Sequence, residues 1–367
     1  MKIDLIAGAR PNMMKIAPLY RALRHTSGVS LRFVHTGQHY DREMSGAFVD
    51  DLGLPQPDVF LDVRSGSHAE QTARVMLRYE PYCRKNSPDL VVVAGDINST
   101  LAAALTAKKC GIAVAHLEAG LRSGDRTMPE ELNRLATDSI SDILWTPSPD
   151  ADANLLREGH SADHITCVGN VMIDAFEMVA ERIAAAGVPD KLGLEPSSYA
   201  VVTLHRPSNV DDASRLAALV SELRKCASYL PIVFPLHPRT RARLLATGLI
   251  DAFDGERMRA VEPMGYVDFM SLVGSARLII TDSGGLQEEA TYLGLPCITV
   301  RPNTERPITL TMGTNVLAEP ENLVHHLNEK LAGKVERPVI PLWDGAAAER
   351  IASDIVRRFH LNPASAT

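Results

Sequence analysis

Thr281-Asp282-Ser283-Gly284-Gly285-Leu286-Gln287-Glu288-Glu289-Ala290 follows the apolar run Ala276-Arg277-Leu278-Ile279-Ile280 and opens the series Leu286, Ala290, Leu293. The run reads as a buried parallel strand and the series as one face of a helix, so this is a strand–turn–helix unit. A Ser-Gly-Gly turn at that junction leaves backbone N–H groups without partners and lets a ligand approach them closely. Such a turn cradles an anion, most commonly a phosphate. Glu288 and Glu289 would repel a bare phosphate unless they serve another group, such as the hydroxyls of a ribose. A nucleoside diphosphate meets both demands. The same residues also fit an ordinary helix start capped by Ser283, with both glutamates in solvent.

Outward from this unit, short apolar runs alternate with helical patterns along the whole chain. Strands are predicted at 3–7, 31–35, 90–94, 113–117, 143–146 and 165–168, then at 200–204, 232–235, 258–261, 278–281, 297–300 and 315–317. Amphipathic segments such as 100–109 and 213–227 lie between them. The alternation predicts an α/β protein with mostly parallel, doubly wound sheets. Two such series predict two Rossmann-like domains, 1–170 and 171–345, with the C-terminal helix 346–367 rejoining the first. The divide at 170–196 carries Gly187, Pro189, Gly193 and Pro196, a linker composition. Nearly every strand ends in groups able to hold or transform a ligand: Gly8-Ala9-Arg10, His35-Thr36-Gly37-Gln38-His39, Gly95-Asp96, His116-Leu117-Glu118, His205-Arg206 and His237. Ligands bind outside the carboxyl ends of parallel strands, so the two domains are expected to face a central cleft.

The 367 residues suffice for two ordinary cores, and a net charge of −7 argues against a general nucleic-acid binder. Five scattered cysteines without a Cys-x-x-Cys pair fit reduced thiols and a cytoplasmic setting. No stretch is apolar enough for a signal peptide or a membrane span, so no membrane partner is expected. Gly-x-Gly-x-x-Gly does not follow the first strand, and no His/Cys cluster has ligand spacing. Neither a nicotinamide cofactor nor a metal is expected.

Individual residues carry two readings each. Arg10 and Lys15 flank the start of a helix, where cations oppose the macrodipole; they either hold an anion or snorkel to solvent. Asp96 ends an apolar strand as a ligand group or as a helix cap. Glu118 sits at the same sheet edge without capping work, the setting of a tuned acid or base. Glu130 and Glu131 follow Pro129, where acidic residues are ordinary first-turn choices. His205 closes the first strand of the second series, as a catalyst or as a satisfied structural histidine.

Taken in order, the chain resembles the bacterial non-hydrolysing UDP-N-acetylglucosamine 2-epimerases. The resemblance runs through Gly8-Ala9-Arg10-Pro11 with Lys15, His35-Thr36-Gly37-Gln38-His39, Gly95-Asp96 with Ser99-Thr100, and His116-Leu117-Glu118-Ala119-Gly120-Leu121-Arg122-Ser123. It continues through Pro129-Glu130-Glu131-Leu132-Asn133-Arg134, Gly169-Asn170, Thr203-Leu204-His205-Arg206, the 282–290 stretch and Thr304-Glu305-Arg306-Pro307. It implies a glycosyltransferase-B-like fold, and reversible C2 inversion of UDP-GlcNAc to UDP-ManNAc by elimination and re-addition of UDP through a 2-acetamidoglucal. It assigns catalysis to Asp96, Glu118, Glu130 and His205. It assigns UDP or sugar binding to Arg10, Lys15, Arg134, Phe269, Ser283, Gly284, Gly285, Glu289 and Arg306, with Glu289 on the ribose and Phe269 near the uracil. It implies a homodimer and no cofactor.

The chain also departs from the family pattern. Ala9 and Asn12 stand where Thr and Glu are frequent, and Pro207-Ser208 replaces Arg-Glu. Many bacterial members bind a second UDP-GlcNAc as activator, partly through an Arg-Gln pair; here those positions read Ser65-Gly66, leaving Gln38, His39 and His237 as remnants of such a site. A hydrolysing 2-epimerase releasing ManNAc, a 2-epimerase of a diacetamido uronate, and a glycosyltransferase of the same fold are the alternatives.

Overall fold

The computed structural model of the chain describes residues 1–38, 52–333 and 336–361. His39 and the side chain of Arg10 lie outside the described residues. The chain forms two compact units, Met1–Met178 with Pro341–Thr367, and Val179–Ile340.

The first unit holds a seven-stranded parallel sheet in the order β3-β2-β1-β4-β5-β6-β7. Its strands are β1 (Lys2–Ala7), β2 (Ser30–His35), β3 (Val59–Phe60), β4 (Leu90–Ala94), β5 (Ala113–Leu117), β6 (Ile143–Thr146) and β7 (Ile165–Cys167). The second unit holds six parallel strands in the order β10-β9-β8-β11-β12-β13. These are β8 (Ala200–Thr203), β9 (Ile232–Pro235), β10 (Met258–Val261), β11 (Leu278–Thr281), β12 (Cys297–Thr299) and β13 (Asn315–Leu317). Central strands such as Leu90-Val91-Val92-Val93-Ala94 are buried along their whole length. A strand covered by helices on both faces has no polar alternation, which is why each reads as an unbroken apolar run.

The helices that matter for the site are α1 (Arg10–Leu23), α2 (His68–Asn86), α3 (Asn98–Lys109), α4 (Pro129–Ile140), α5 (Val171–Ala185), α6 (Ala213–Tyr229), α7 (Gly284–Leu293) and α8 (Ala347–Arg358). On the second sheet, the α6 residues Leu216, Leu219, Val220 and Leu223 pack in one cluster with Val202, Phe234 and Ile280.

The boundary between units falls inside α5, between Met178 and Val179 and within the 170–196 stretch; the Gly/Pro-rich part of that stretch belongs to the second unit. α5 runs unbroken across this boundary. The return of the chain at Pro341 brings α8 onto α1 of the first unit. Asp174 on α5 accepts from the N–H groups of Ala347 (3.1 Å) and Ala348 (2.7 Å), satisfying the open first turn of α8. The Trp145 indole donates to Asp354 on α8 at 2.9 Å.

Each sheet reverses its strand order once, between β1 and β4 in the first unit and between β8 and β11 in the second. At such a point neighbouring crossover helices leave to opposite faces and open a crevice at the strand ends. Both crevices are lined by the residues described next.

Candidate active site

In the first unit the crevice lies between the ends of β1 and β4. α1 starts directly after β1, with no side-chain cap on its N-terminus and no acidic residue in its first turn. Lys15, on its second turn, is buried, and its ammonium pairs with the buried carboxylate of Glu118. Glu118 follows β5 in a left-handed conformation, φ 69°, sterically unfavourable for any residue with a Cβ. Its Oε1 is buried and has no hydrogen-bond partner among the described residues. Gly95, φ 67°, forms the floor: a Cβ there would lie 2.6 Å from Lys15 Nζ and 3.5 Å from Glu118 Oε2. Asn12 donates to the Ala94 carbonyl at 2.7 Å, fixing α1 against the end of β4.

Asp96, the next residue, is partly exposed and pairs with the buried guanidinium of Arg134. The other arm of Arg134 reaches Glu131 at 3.0 Å. Arg134, expected as a ligand group, thus spends both arms on carboxylates. Glu131 accepts from the N–H groups of Ser123 (2.9 Å) and Gly124 (3.0 Å), holding the loop before α4. Its neighbour Glu130 is half-exposed on the same first turn. The adjacent glutamates therefore differ, one buried and fixing the loop, the other half-exposed.

Gln38 is buried and accepts from the N–H (3.0 Å) and hydroxyl (2.7 Å) of Ser99, so it caps the first turn of α3. His237 lies in the other unit, its ring 5.7 Å from that of His205, with Nδ1 accepting from the Arg239 N–H at 3.2 Å.

In the second unit the crevice lies between the ends of β8 and β11. His205 Nδ1 is 3.0 Å from Asp282 Oδ1, and its side chain is 41% exposed. Asp282 is fully buried and also accepts from the N–H groups of His205 (3.0 Å) and Arg206 (2.9 Å) and from Asn209 Nδ2 (3.1 Å). Burial pushes its carboxyl up, but the His205 and backbone hydrogen bonds outweigh it and hold the group below its ordinary value. A histidine so fixed through Nδ1 presents Nε2 to the crevice.

Ser283 stands at the N-cap of α7, but its hydroxyl makes no cap bond, and Glu288 and Glu289 are buried. The ordinary-cap reading of this turn is thereby removed. A Cβ at Gly284 would lie 2.6 Å from Arg306 Nη1 and 2.8 Å from Glu305 Oε1, so any larger residue must displace that ion pair. Arg306 pairs with Glu288 at 2.9 Å and Glu305 at 2.5 Å, and Arg301 reaches Glu305 at 2.7 Å. The Ser283 N–H donates to Thr281 Oγ1 at 2.9 Å, and the Arg306 guanidinium stands beside the helix start at Gly284. Glu289 accepts from the Tyr266 hydroxyl at 2.7 Å, and burial pushes its carboxyl up to about 7. Phe269, half-buried, lies one helical turn beyond Tyr266.

The sequence reading assigned no role to Asp282, Tyr266, Glu131 or Glu305. Asp282 and Glu131 carried a signal, a carboxylate beside each assigned residue. Tyr266 and Glu305 carried none without their partners. Among the described residues, the grouping with metal-ligand reach is His325, His326 and Glu329, mostly exposed and remote in sequence from either crevice.

Two parallel-sheet units, each with charged groups and open helix starts at its switch point, define an enzyme of the glycosyltransferase-B-like class. The sucrose-phosphate synthase of Thermosynechococcus elongatus shares this fold at 14% identity, TM-score 0.59, over 98% of both chains. Within that class the chain belongs to the UDP-N-acetylglucosamine 2-epimerase family, whose model matches residues 21–356. A UDP-N-acetylglucosamine 2-epimerase of Methanocaldococcus jannaschii is 41% identical over 359 residues, 96% of this chain and 98% of the relative. A crystal structure from that organism, in complex with UDP-GlcNAc and UDP, matches with TM-score 0.88 at 40% identity, over 97% of this chain and 100% of the other. A UDP-2,3-diacetamido-2,3-dideoxy-D-glucuronate 2-epimerase of Pseudomonas aeruginosa is 39% identical over 97% of this chain and 100% of its own length.

Proposed function

We propose that the protein interconverts UDP-GlcNAc and UDP-ManNAc at C2 without releasing the sugar. The observation that carries this reading is Glu118: a buried carboxylate with one cationic partner and one oxygen left without a partner, at the switch point of the first sheet. The C2 proton of the substrate is not α to a carbonyl, so its removal alone would leave an unstabilised carbanion. Elimination avoids this. A carboxylate takes the C2 proton, the C–H electrons form the C1–C2 double bond, and the C1–O electron pair leaves with UDP. Re-addition of UDP with protonation on the other face completes the inversion.

In this reading Asp96, Glu118 and Glu130 supply the proton transfers, and Lys15 with Arg10 supplies positive charge on the first unit. His205, oriented by Asp282, stands with the nucleotide-holding groups of the second unit. There the Ser283-Gly284-Gly285 turn with Arg306 retains the departing diphosphate, Glu289 meets the ribose and Phe269 the uracil. We also assign a cytoplasmic, homodimeric enzyme of polysaccharide precursor supply; the free cysteines and the family resemblance support that setting.

Incubation with UDP-GlcNAc in D₂O, followed by NMR, tests the proposal. Deuterium at C2 in a mixture of both epimers is the expected result. Free UDP with ManNAc would identify a hydrolysing enzyme instead. Exchange confined to a diacetamido uronate substrate would move the specificity to that of the Pseudomonas relative. Absence of exchange with either sugar sinks the reading.

A further inference from the structure

β5 carries one polar residue among apolar ones: Ala113-Val114-Ala115-His116-Leu117. His116 is fully buried, and its register neighbours are Val93 and Leu144, so packing alone would favour an aliphatic side chain there. Its Nδ1 is 2.6 Å from Asp138 Oδ1, and its Nε2 is 2.8 Å from the Gly95 carbonyl oxygen. Both neighbours are acceptors, so both ring nitrogens donate. Asp138, fully buried near the end of α4, accepts through Oδ2 from the Gly120 N–H (3.0 Å) and from Arg122 (2.7 Å). Arg122 in turn pairs with Glu158 at 2.6 Å.

One buried pair thus fastens the two loops that carry the proposed acid–base residues. Gly95 immediately precedes Asp96, and Gly120 lies two residues beyond Glu118. Gly95, Glu118 and Gly120 all have positive φ, 67°, 69° and 80°. A left-handed glutamate does not hold that conformation by itself; surrounding bonds must over-determine it. The side chains of His116 and Asp138 supply bonds on both sides of it. Charged groups buried this way are costly compared with a well-packed aliphatic residue, so stability does not account for them.

We infer that His116 and Asp138 are positioning residues, which set Asp96 and Glu118 for proton transfer by fastening the Gly95 and Gly120 backbones from beneath. The inference rests on the proposed C2 epimerisation. His116→Leu fills the strand position and removes both bonds. It should unfold below the wild-type temperature, because buried Asp138 and the Gly95 carbonyl each lose a partner, and the folded protein should lose about 10²-fold in kcat for C2 exchange, the cost of misplacing a catalytic group by about 1 Å. KM and UDP affinity should stay within about threefold, since neither residue touches the nucleotide-holding groups.

His116→Asn keeps a donor toward Asp138 and loses only the Gly95 bond; Asp138→Asn weakens the anchor of Gly120. Both should show the same split between kcat and KM. Wild-type kcat in His116→Leu overturns the inference. So does a loss of kcat that follows the loss of folded protein in all three variants. If the wild type exchanges C2 hydrogen with neither UDP-sugar, the functional reading has failed, and the pair is judged by its geometry. NMR of ¹⁵N-histidine-labelled protein should then show two protected ring N–H protons for His116, and a missing Nε2 proton overturns the fastening of Gly95.

Discussion

Glu289→Gln tests how the second unit carries charge. Glu289 is buried on α7, it feels the carboxylate of Glu288, and it accepts from the neutral Tyr266 hydroxyl. Burial moves its carboxyl from 4.5 to about 7, with Glu288 adding to the rise and Tyr266 opposing it. A carboxyl raised in the folded state binds its proton more tightly there than in the unfolded chain. Its contribution is therefore full below about pH 4.5 and lost as pH rises through about 7. From those two values, ionised Glu289 costs about 3 kcal/mol at pH 8 and about 1 kcal/mol at pH 5. Glutamine keeps an acceptor for Tyr266 and has no proton to lose. Relative to wild type, the variant should gain about 2 kcal/mol of stability between pH 5 and pH 8.

Trp145 and Trp343 both belong to the first unit, so their fluorescence does not report this change. Hydrogen-exchange protection of the α7 amides reads it directly. Binding supplies a second arm. If ribose hydroxyls bond to the ionised form, UDP-GlcNAc should bind wild type about tenfold more tightly at pH 8 than at pH 6. The Gln variant should show no such slope. A stability difference that stays constant from pH 5 to pH 8 would refute the charge assignment, and a pH-independent wild-type affinity would remove Glu289 from the ribose.

Gly95→Ala places a methyl 2.6 Å from Lys15 Nζ at a φ of 67°. It should cost about 1–2 kcal/mol in thermal unfolding and suppress C2 exchange about 10²-fold or more. Asp282→Asn removes the charge that orients His205 through Nδ1; a loss in kcat of about 10²-fold is expected by D₂O exchange, with UDP affinity reduced far less. Gly284→Ala drives a Cβ against Arg306 and Glu305, so calorimetry should show UDP binding weakened about tenfold while exchange at saturating substrate changes less.

The parallel strands were legible because burial on both faces removes polar alternation, and the twelve predicted runs fall within a residue of strands in the structure. β3 escaped because Val59–Phe60 is two residues at a sheet edge. Within the 170–196 stretch, Gly and Pro report local breaks, whereas the boundary between Met178 and Val179 lies inside α5, which passes through it unbroken. The placement of the candidate residues at strand ends was legible through the general rule for parallel sheets. Their partners were not, because pairing joins distant segments: Lys15 and Glu118 are 103 residues apart, and His205 and Asp282 are 77 apart. Only the fold shows that Glu131 turns inward to Ser123 and Gly124 while Glu130 does not.

Those pairings decide what each carboxylate can be. Asp96, Glu118, Asp282 and Glu288 each have a basic group within ion-pair distance: Arg134, Lys15, His205 and Arg306. Burial penalises a lone charge, and a cation at contact distance offsets that penalty. Glu289, at the same depth, has a phenol instead, and it is the carboxylate of this group whose proton is held to about 7. The helix that starts at Gly284 therefore carries two kinds of glutamate. Glu288 is neutralised by Arg306 and serves the guanidinium cluster. Among the described residues Glu289 has no cation within ion-pair distance, and a ligand offering hydroxyl donors would favour its ionised form, as the Tyr266 bond already does. In the proposed function, a phosphate held at that turn beside such a carboxylate selects for a sugar attached to the phosphate, and that combination distinguishes a nucleotide from inorganic diphosphate.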